Sequence, residues 1–204
     1  MIPNPAPEVD HTFVHALHDP VQLISVGNFV QRKGFDQIPR IAAVLRSKYP
    51  QLSWKWCIYG EGSQKKKLQR QIDQMGFHHQ IKLCEPCQDI GQRMEMADIF
   101  VMTSHWECLP MALLEAKRHG LPAVAFHIRT GPSVLIRHGL DGYLIHRPHQ
   151  DSYFQMEQMA DAIADLMQDD DKYQKFSEQS VTNLETFRME RILEQWNQLF
   201  SHLC

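Results

Sequence analysis

Glu107 and Glu115 are separated by seven residues, and between them Pro110 precedes a helical run from Met111 to His119. Proline suits the first helical position, because it has no N–H to waste and its φ is already set. The next backbone N–H groups have no carbonyl to meet inside the helix, and with the macrodipole they make a site for a phosphate. Glu115 follows Met111 by four residues, so the two share a face about one 5.4 Å turn apart. A nucleotide with its phosphate on that helix end would place a ribose diol beside Glu115, whose carboxylate can accept from both hydroxyls. Glu107 would then stand beyond the phosphate, where the next group of the ligand begins. A solvated helix glutamate and a loop glutamate are the plain alternative.

The flanking elements must position that pair. The apolar run Ile99 to Met102 precedes it, Gly120 and Pro122 stop the helix, and Ala123 to Phe126 form another apolar run. Upstream, Val21 to Gly27 reads as a short strand, and Phe35, Ile38, Ile41, Ala42 and Leu45 recur at helical intervals until Pro50. The glycine-containing loop between them lies where α/β proteins bind phosphates, and Arg32 and Lys33 supply positive charge there. A solvated turn with two basic residues is the alternative. Leu52 to Tyr59, Ile81 to Cys84 and Tyr143 to Ile145 read as further strands, with helices over 63–75 and 90–97 and a helical C-terminal part over 154–167, 172–184 and 189–203. The spacing predicts an α/β chain in which the first five of these strands run parallel and alternate with helices: a Rossmann-like, doubly wound parallel sheet with additional C-terminal helices.

Other candidates are weaker. Cys84 and Cys87, between a strand and a helix, could form a thioredoxin-like redox pair. His78 and His79 suggest zinc but lack a second ligand pair at suitable spacing. Lys65 to Lys67 with Arg70 could meet anionic lipid or simply form a solvated helix face. The 204 residues, 43% hydrophobic and 22% charged with a net charge of −3, read as a soluble globular chain and give no reason to expect nucleic acid. Five cysteines without disulfide-like spacing and the lack of a long apolar span point to the cytoplasm, with peripheral membrane contact left open.

The spacing of Glu107 and Glu115 resembles the E-x7-E motif of retaining glycosyltransferases of the GT-B fold, family 4 in particular. The surrounding string ADIFVMTSHWECLPMALLEAKRHGLPAVAF is similar to the extended pattern of that family. The resemblance implies the donor-binding half of a GT-B fold. Glu115 would hold the ribose, and backbone groups of Cys108, Leu109, Pro110 and Met111 the sugar and diphosphate. Glu107 would bind sugar hydroxyls near the reacting carbon. The segment from Gly27 resembles the family's G-R-x-x-x-x-K-G loop, in which Lys33 matches the catalytic lysine that stabilises the departing diphosphate. Asn28 stands at the usual arginine position, and Arg32 is the candidate replacement. The loop carrying Cys87 would hold the base, although Glu85 replaces a usual glycine. The Thr130-Gly-Pro segment matches structurally, with no catalytic role assigned.

Residues 1–20 resemble the interdomain linker of this family and 21–204 the nucleotide-sugar-binding domain, so an N-terminal acceptor domain is expected to be absent from this chain. In the family the final helix crosses back to that domain. The implied partners are a nucleotide-diphosphate sugar, a UDP-sugar first, and a saccharide or lipid-linked acceptor in cell-surface polysaccharide or lipopolysaccharide assembly. No metal and no cofactor are expected, and the chain alone should transfer little. A non-catalytic nucleotide- or partner-binding module is the reading from a different class.

Overall fold

The computed structural model describes residues 3–5, 16–146, 153–182, 184 and 187–201. Six parallel strands form one sheet: β1 (Val21–Val26), β2 (Trp54–Tyr59), β3 (Ile81–Cys84), β4 (Ile99–Met102), β5 (Ala123–His127) and β6 (Gly142–His146). Their order is β3-β2-β1-β4-β5-β6, so the direction of winding reverses between β1 and β4. That reversal opens a crevice at the carboxyl ends of the two central strands, where open α/β sheets bind ligands. The segment Tyr143 to Ile145 is thus part of a sixth parallel strand, one more than the alternation of strands and helices predicts.

Alternation along each strand divides the core. Leu23, Trp56, Ile58, Val101 and Val124 face one side with α1 (Ile38–Lys48) and α6 (Tyr153–Gln168). Ile24, Phe100, Met102, Ala123 and Ala125 face the other, with α3 (Ile90–Glu95) and α4 (Met111–Arg118). All four residues of β4 are buried, as a strand covered on both faces requires. The remaining helices are α2 (Lys65–Gln74), the short α5 (Pro132–Leu135), α7 (Asp170–Thr182) and α8 (Met189–Ser201).

Two helix starts differ from the sequence reading, and α8 packs lightly. The pattern beginning at Phe35 first forms a 3-10 turn, Phe35–Gln37, and becomes α-helix only at Ile38. Pro110 is not the first helical residue: it caps α4 in an extended conformation (φ −77°, ψ 99°). Its carbonyl accepts from Leu113 and Leu114, which starts the helix at Met111. Of α8 only Ile192 is buried, while Met189, Leu193, Trp196, Leu199 and Phe200 remain exposed.

Two polar contacts tie the scaffold together. Asp98, fully buried ahead of β4, accepts hydrogen bonds from the backbone of His18 at 3.2 Å and of Gln22 at 2.6 Å, which anchors the entry to β1. In α4, Lys117 is wholly buried and pairs at 3.0 Å with the equally buried Asp141, just before β6. Burial lowers the Lys117 pKa to about 8 despite that carboxylate.

Candidate functional site

The loop after β1 is fastened to the end of β4. Residues Gln31–Lys33 form a 3-10 turn closed by Gly34 in the left-handed region at φ 62°. A Cβ on Gly34 would lie 2.2 Å from the Thr103 carbonyl oxygen, so only glycine allows the loop this close to β4. The Thr103 hydroxyl donates to the Lys33 carbonyl at 3.1 Å, and the His105 amide donates to the Arg32 carbonyl at 2.8 Å. Buried Gln37 spans Gly34 and Thr103, donating to both carbonyls. The Lys33 stem returns over Gly27, where an added Cβ would stand 2.9 Å from Cε.

This fastening brings the predicted residues together. Lys33 Nζ lies 2.6 Å from Glu107 Oε1, and Arg32 Nη1 lies 2.8 Å from Oε2. The Ser104 hydroxyl donates to Oε1 at 3.0 Å. Glu107 is only 6% exposed, and a buried carboxylate persists when cations and hydrogen bonds offset its desolvation. The Arg32 guanidinium also stacks over the Trp106 ring at 4.8 Å, which orients its planar fork toward Glu107. Two cations and one anion leave a net positive charge at the switch point. Of the two candidates for the diphosphate arginine, Arg32 is the one whose side chain meets Glu107. The Asn28 side chain is exposed, and among the described residues it makes no hydrogen bond to the site.

The Glu107 loop runs through Cys108 and Leu109 to Pro110. Thr130, in the loop after β5, donates its hydroxyl to the Glu107 carbonyl. Met111 and Ala112 begin α4, and their N–H groups have no partner inside the helix. Asn4 of the N-terminal arm reaches the Met111 sulfur at 3.9 Å. One turn further on, Glu115 is half-buried, and among the described residues its carboxylate has no ion pair or hydrogen bond. Its pKa is raised above the ordinary glutamate value, mainly by burial and secondly by the nearby charge of Asp89. Asp89 belongs to the loop that also carries Cys87, so that loop borders Glu115. The Cys87 thiol itself donates to the Asp89 carbonyl at 3.3 Å.

The weaker candidates assemble less. Cys57, Cys84, Cys87 and Cys108 are free thiols. The His78 and His79 rings lie 4.0 Å apart, and among the described residues no group of three or more side chains could hold a metal. Lys65 is paired with Glu85. Ser104, Trp106 and Thr130 belong to the site although the sequence reading gave them no role. Ser104 and Trp106 stand inside the similar string, and their proximity in sequence to Glu107 was the available signal. Thr130 arrives from another loop, and only the β4–β5 pairing shows that it reaches Glu107.

Comparison with known proteins agrees with this architecture. The family model described as "Glycosyl transferases group 1" matches residues 10–182. An exopolysaccharide phosphotransferase of Streptomyces coelicolor is 35% identical over 74% of this chain and 15% of its own length. The amylovoran biosynthesis glycosyltransferase AmsD of Erwinia amylovora is 27% identical over 88% of this chain and 48% of its own. The chain thus spans less than half the length of either relative. Among solved structures, a variant of S. aureus TarM in complex with Fondaparinux, alpha-GlcNAc-glycerol and UDP superposes with a TM-score of 0.79. It is 28% identical, over 92% of this chain and 38% of that one. With the motif-bearing loops, the winding of the sheet and the family match in agreement, the chain belongs to the group 1 glycosyl transferases.

Proposed function

We propose that this chain is the donor-binding half of a retaining glycosyltransferase that uses a nucleotide-diphosphate sugar, a UDP-sugar first. The observation that carries the reading is the meeting of Lys33 and Arg32 from one loop with Glu107 from another, across the switch point of the sheet. The diphosphate lies on the α4 N-terminus and these cations. Glu115 takes the ribose hydroxyls, and the Cys87 loop borders the base. In transfer the bond from the anomeric carbon to the diphosphate oxygen breaks, and a bond to an acceptor hydroxyl oxygen forms. The acceptor proton passes to the departing diphosphate, whose growing charge Lys33, Arg32 and the helix amides offset. The reading assigns that electrostatic work to them and none to a metal.

The acceptor is a saccharide or lipid-linked saccharide in surface polysaccharide assembly, a role supported by the similarity to an exopolysaccharide phosphotransferase and to an amylovoran biosynthesis glycosyltransferase. It is held by a further, N-terminal domain joined through residues 1–20, so the chain alone transfers little. The site of action is the cytoplasm or the cytoplasmic membrane face; among the described residues no helix is long and apolar enough to cross a membrane. Calorimetry with UDP-, GDP- and ADP-sugars tests the reading. One of them should bind, and Glu115→Ala should weaken it. Absence of binding by all three, with no effect of the substitution, would sink it.

A further inference from the structure

Glu107 spends the ligand-free state as the counter-ion of the two groups that the diphosphate requires. Its Oε1 holds Lys33 at 2.6 Å and its Oε2 holds Arg32 at 2.8 Å. Little water reaches it, since its side chain is 7% exposed, and the Ser104 hydroxyl at 3.0 Å is its other hydrogen-bond donor among the described residues. A diphosphate entering the crevice competes with Glu107 for both cations and brings further negative charge next to it. The carboxylate cannot turn to solvent without rearranging a loop that Thr130 holds by its backbone. Losing its cations while buried is costly unless new donors replace them.

We infer that Glu107 is a specificity-determining residue that makes the site prefer a nucleotide sugar over the free nucleoside diphosphate. Both ligands draw Lys33 and Arg32 away from the carboxylate, but only the sugar offers hydroxyl donors in exchange. A free diphosphate leaves a buried anion short of partners and beside a second anion. The site therefore disfavours its own leaving group, and Glu107 speeds its departure. This inference rests on the donor-site reading above and deepens it.

The test is calorimetry of UDP, and separately of inorganic pyrophosphate, with the chain as it stands and with Glu107→Gln. The amide is nearly isosteric but uncharged, so it frees the cations. UDP should bind Glu107→Gln about tenfold more tightly, the effect of one charge-assisted hydrogen bond, pyrophosphate should follow in the same direction, and the nucleotide sugar that binds the unaltered chain should gain less, so that the preference for it narrows. Glu107→Asp keeps the charge on a shorter stem and should fall between the two; it also serves if the amide variant does not fold. UDP binding that is unchanged or weaker in both variants overturns the inference while leaving the donor site standing. No UDP or pyrophosphate binding by any of the three proteins overturns the inference, and the donor-site reading falls with it when the UDP-, GDP- and ADP-sugars also fail to bind.

Discussion

Lys33 Nζ and Glu107 Oε1 meet at 2.6 Å although they come from the loops after β1 and β4, which adjoin in the sheet but stand 74 positions apart in sequence. The contact sets a charge pair at the carboxyl ends of the two central strands.

Replacing Lys33 by alanine removes the pair's shorter contact and leaves Glu107 with Arg32. Under the proposed function, transfer by a protein that carries this domain should fall about 10²- to 10³-fold, as when one charge-stabilising donor is removed from an active site. Single-turnover kinetics check this. A loss below a few-fold would take Lys33 out of the chemistry.

Arg32 and Asn28 should separate cleanly. Arg32 stacks on Trp106 at 4.8 Å and pairs with Glu107, whereas Asn28 is exposed. Arg32→Ala should weaken UDP-sugar binding by about tenfold, the scale of one charge-assisted contact, and Asn28→Ala should leave it within about twofold. Titration calorimetry of both variants decides; the reverse order would return the diphosphate role to Asn28.

Glu115 carries a raised pKa and, among the described residues, no ion pair or hydrogen bond, so its charge costs stability in the folded chain. Burial penalises its charged form in the folded state only. Stability is therefore lost as pH rises through the folded-state pKa, and none is lost below the ordinary glutamate value of about 4.3, where both states are protonated. Glu115→Gln should raise the melting temperature at pH about 7, and the gain should vanish near pH about 4. Ligand affinity should fall in the same variant. A stabilised variant with weakened binding would mark Glu115 as a residue kept for the ligand.

Lys117 and Asp141 form a pair with both side chains 0% exposed. Lys117→Met should cost about 3–5 kcal/mol by leaving a buried carboxylate without that cation, and adding Asp141→Leu should recover much of the loss. The folded-state pKa of about 8 predicts a further signature. Between pH about 8 and the ordinary lysine value of about 10.4, the unfolded chain holds a proton that the folded one has released. Wild-type stability should rise across that window relative to Lys117→Met. Denaturant melts at several pH values measure both effects.

The similar string around Glu107 and Glu115 made the family and the main site legible, because its chemistry lies in consecutive residues of one strand, loop and helix. The sheet was legible for the same reason: each strand is a local apolar run, and the alternating helices imply parallel pairing. What sequence could not supply was the relation between loops. That Arg32, rather than Asn28, turns toward Glu107 depends on Gly34, which lets one loop close onto the Thr103 carbonyl, and on Trp106 under the guanidinium. The role of Thr130 depends on a second such approach. The Pro110 boundary was missed because a proline suits both the first helical position and the cap before it. The dihedral ψ that decides between them is set by the chain on either side.

The exposed face of α8 divides the chain into parts of unequal permanence. With Ile192 as its one buried side chain, this helix shares little of the core, and its Trp196 and Phe200 rings stack mainly on each other at 5.7 Å. Amide hydrogens of α8 should exchange with solvent through local opening, far faster than those of β1 and β4, which wait for the sheet itself to come apart. The fluorescence change of Trp196 should then precede that of Trp54 and Trp56 in β2, and two clocks would run in one chain.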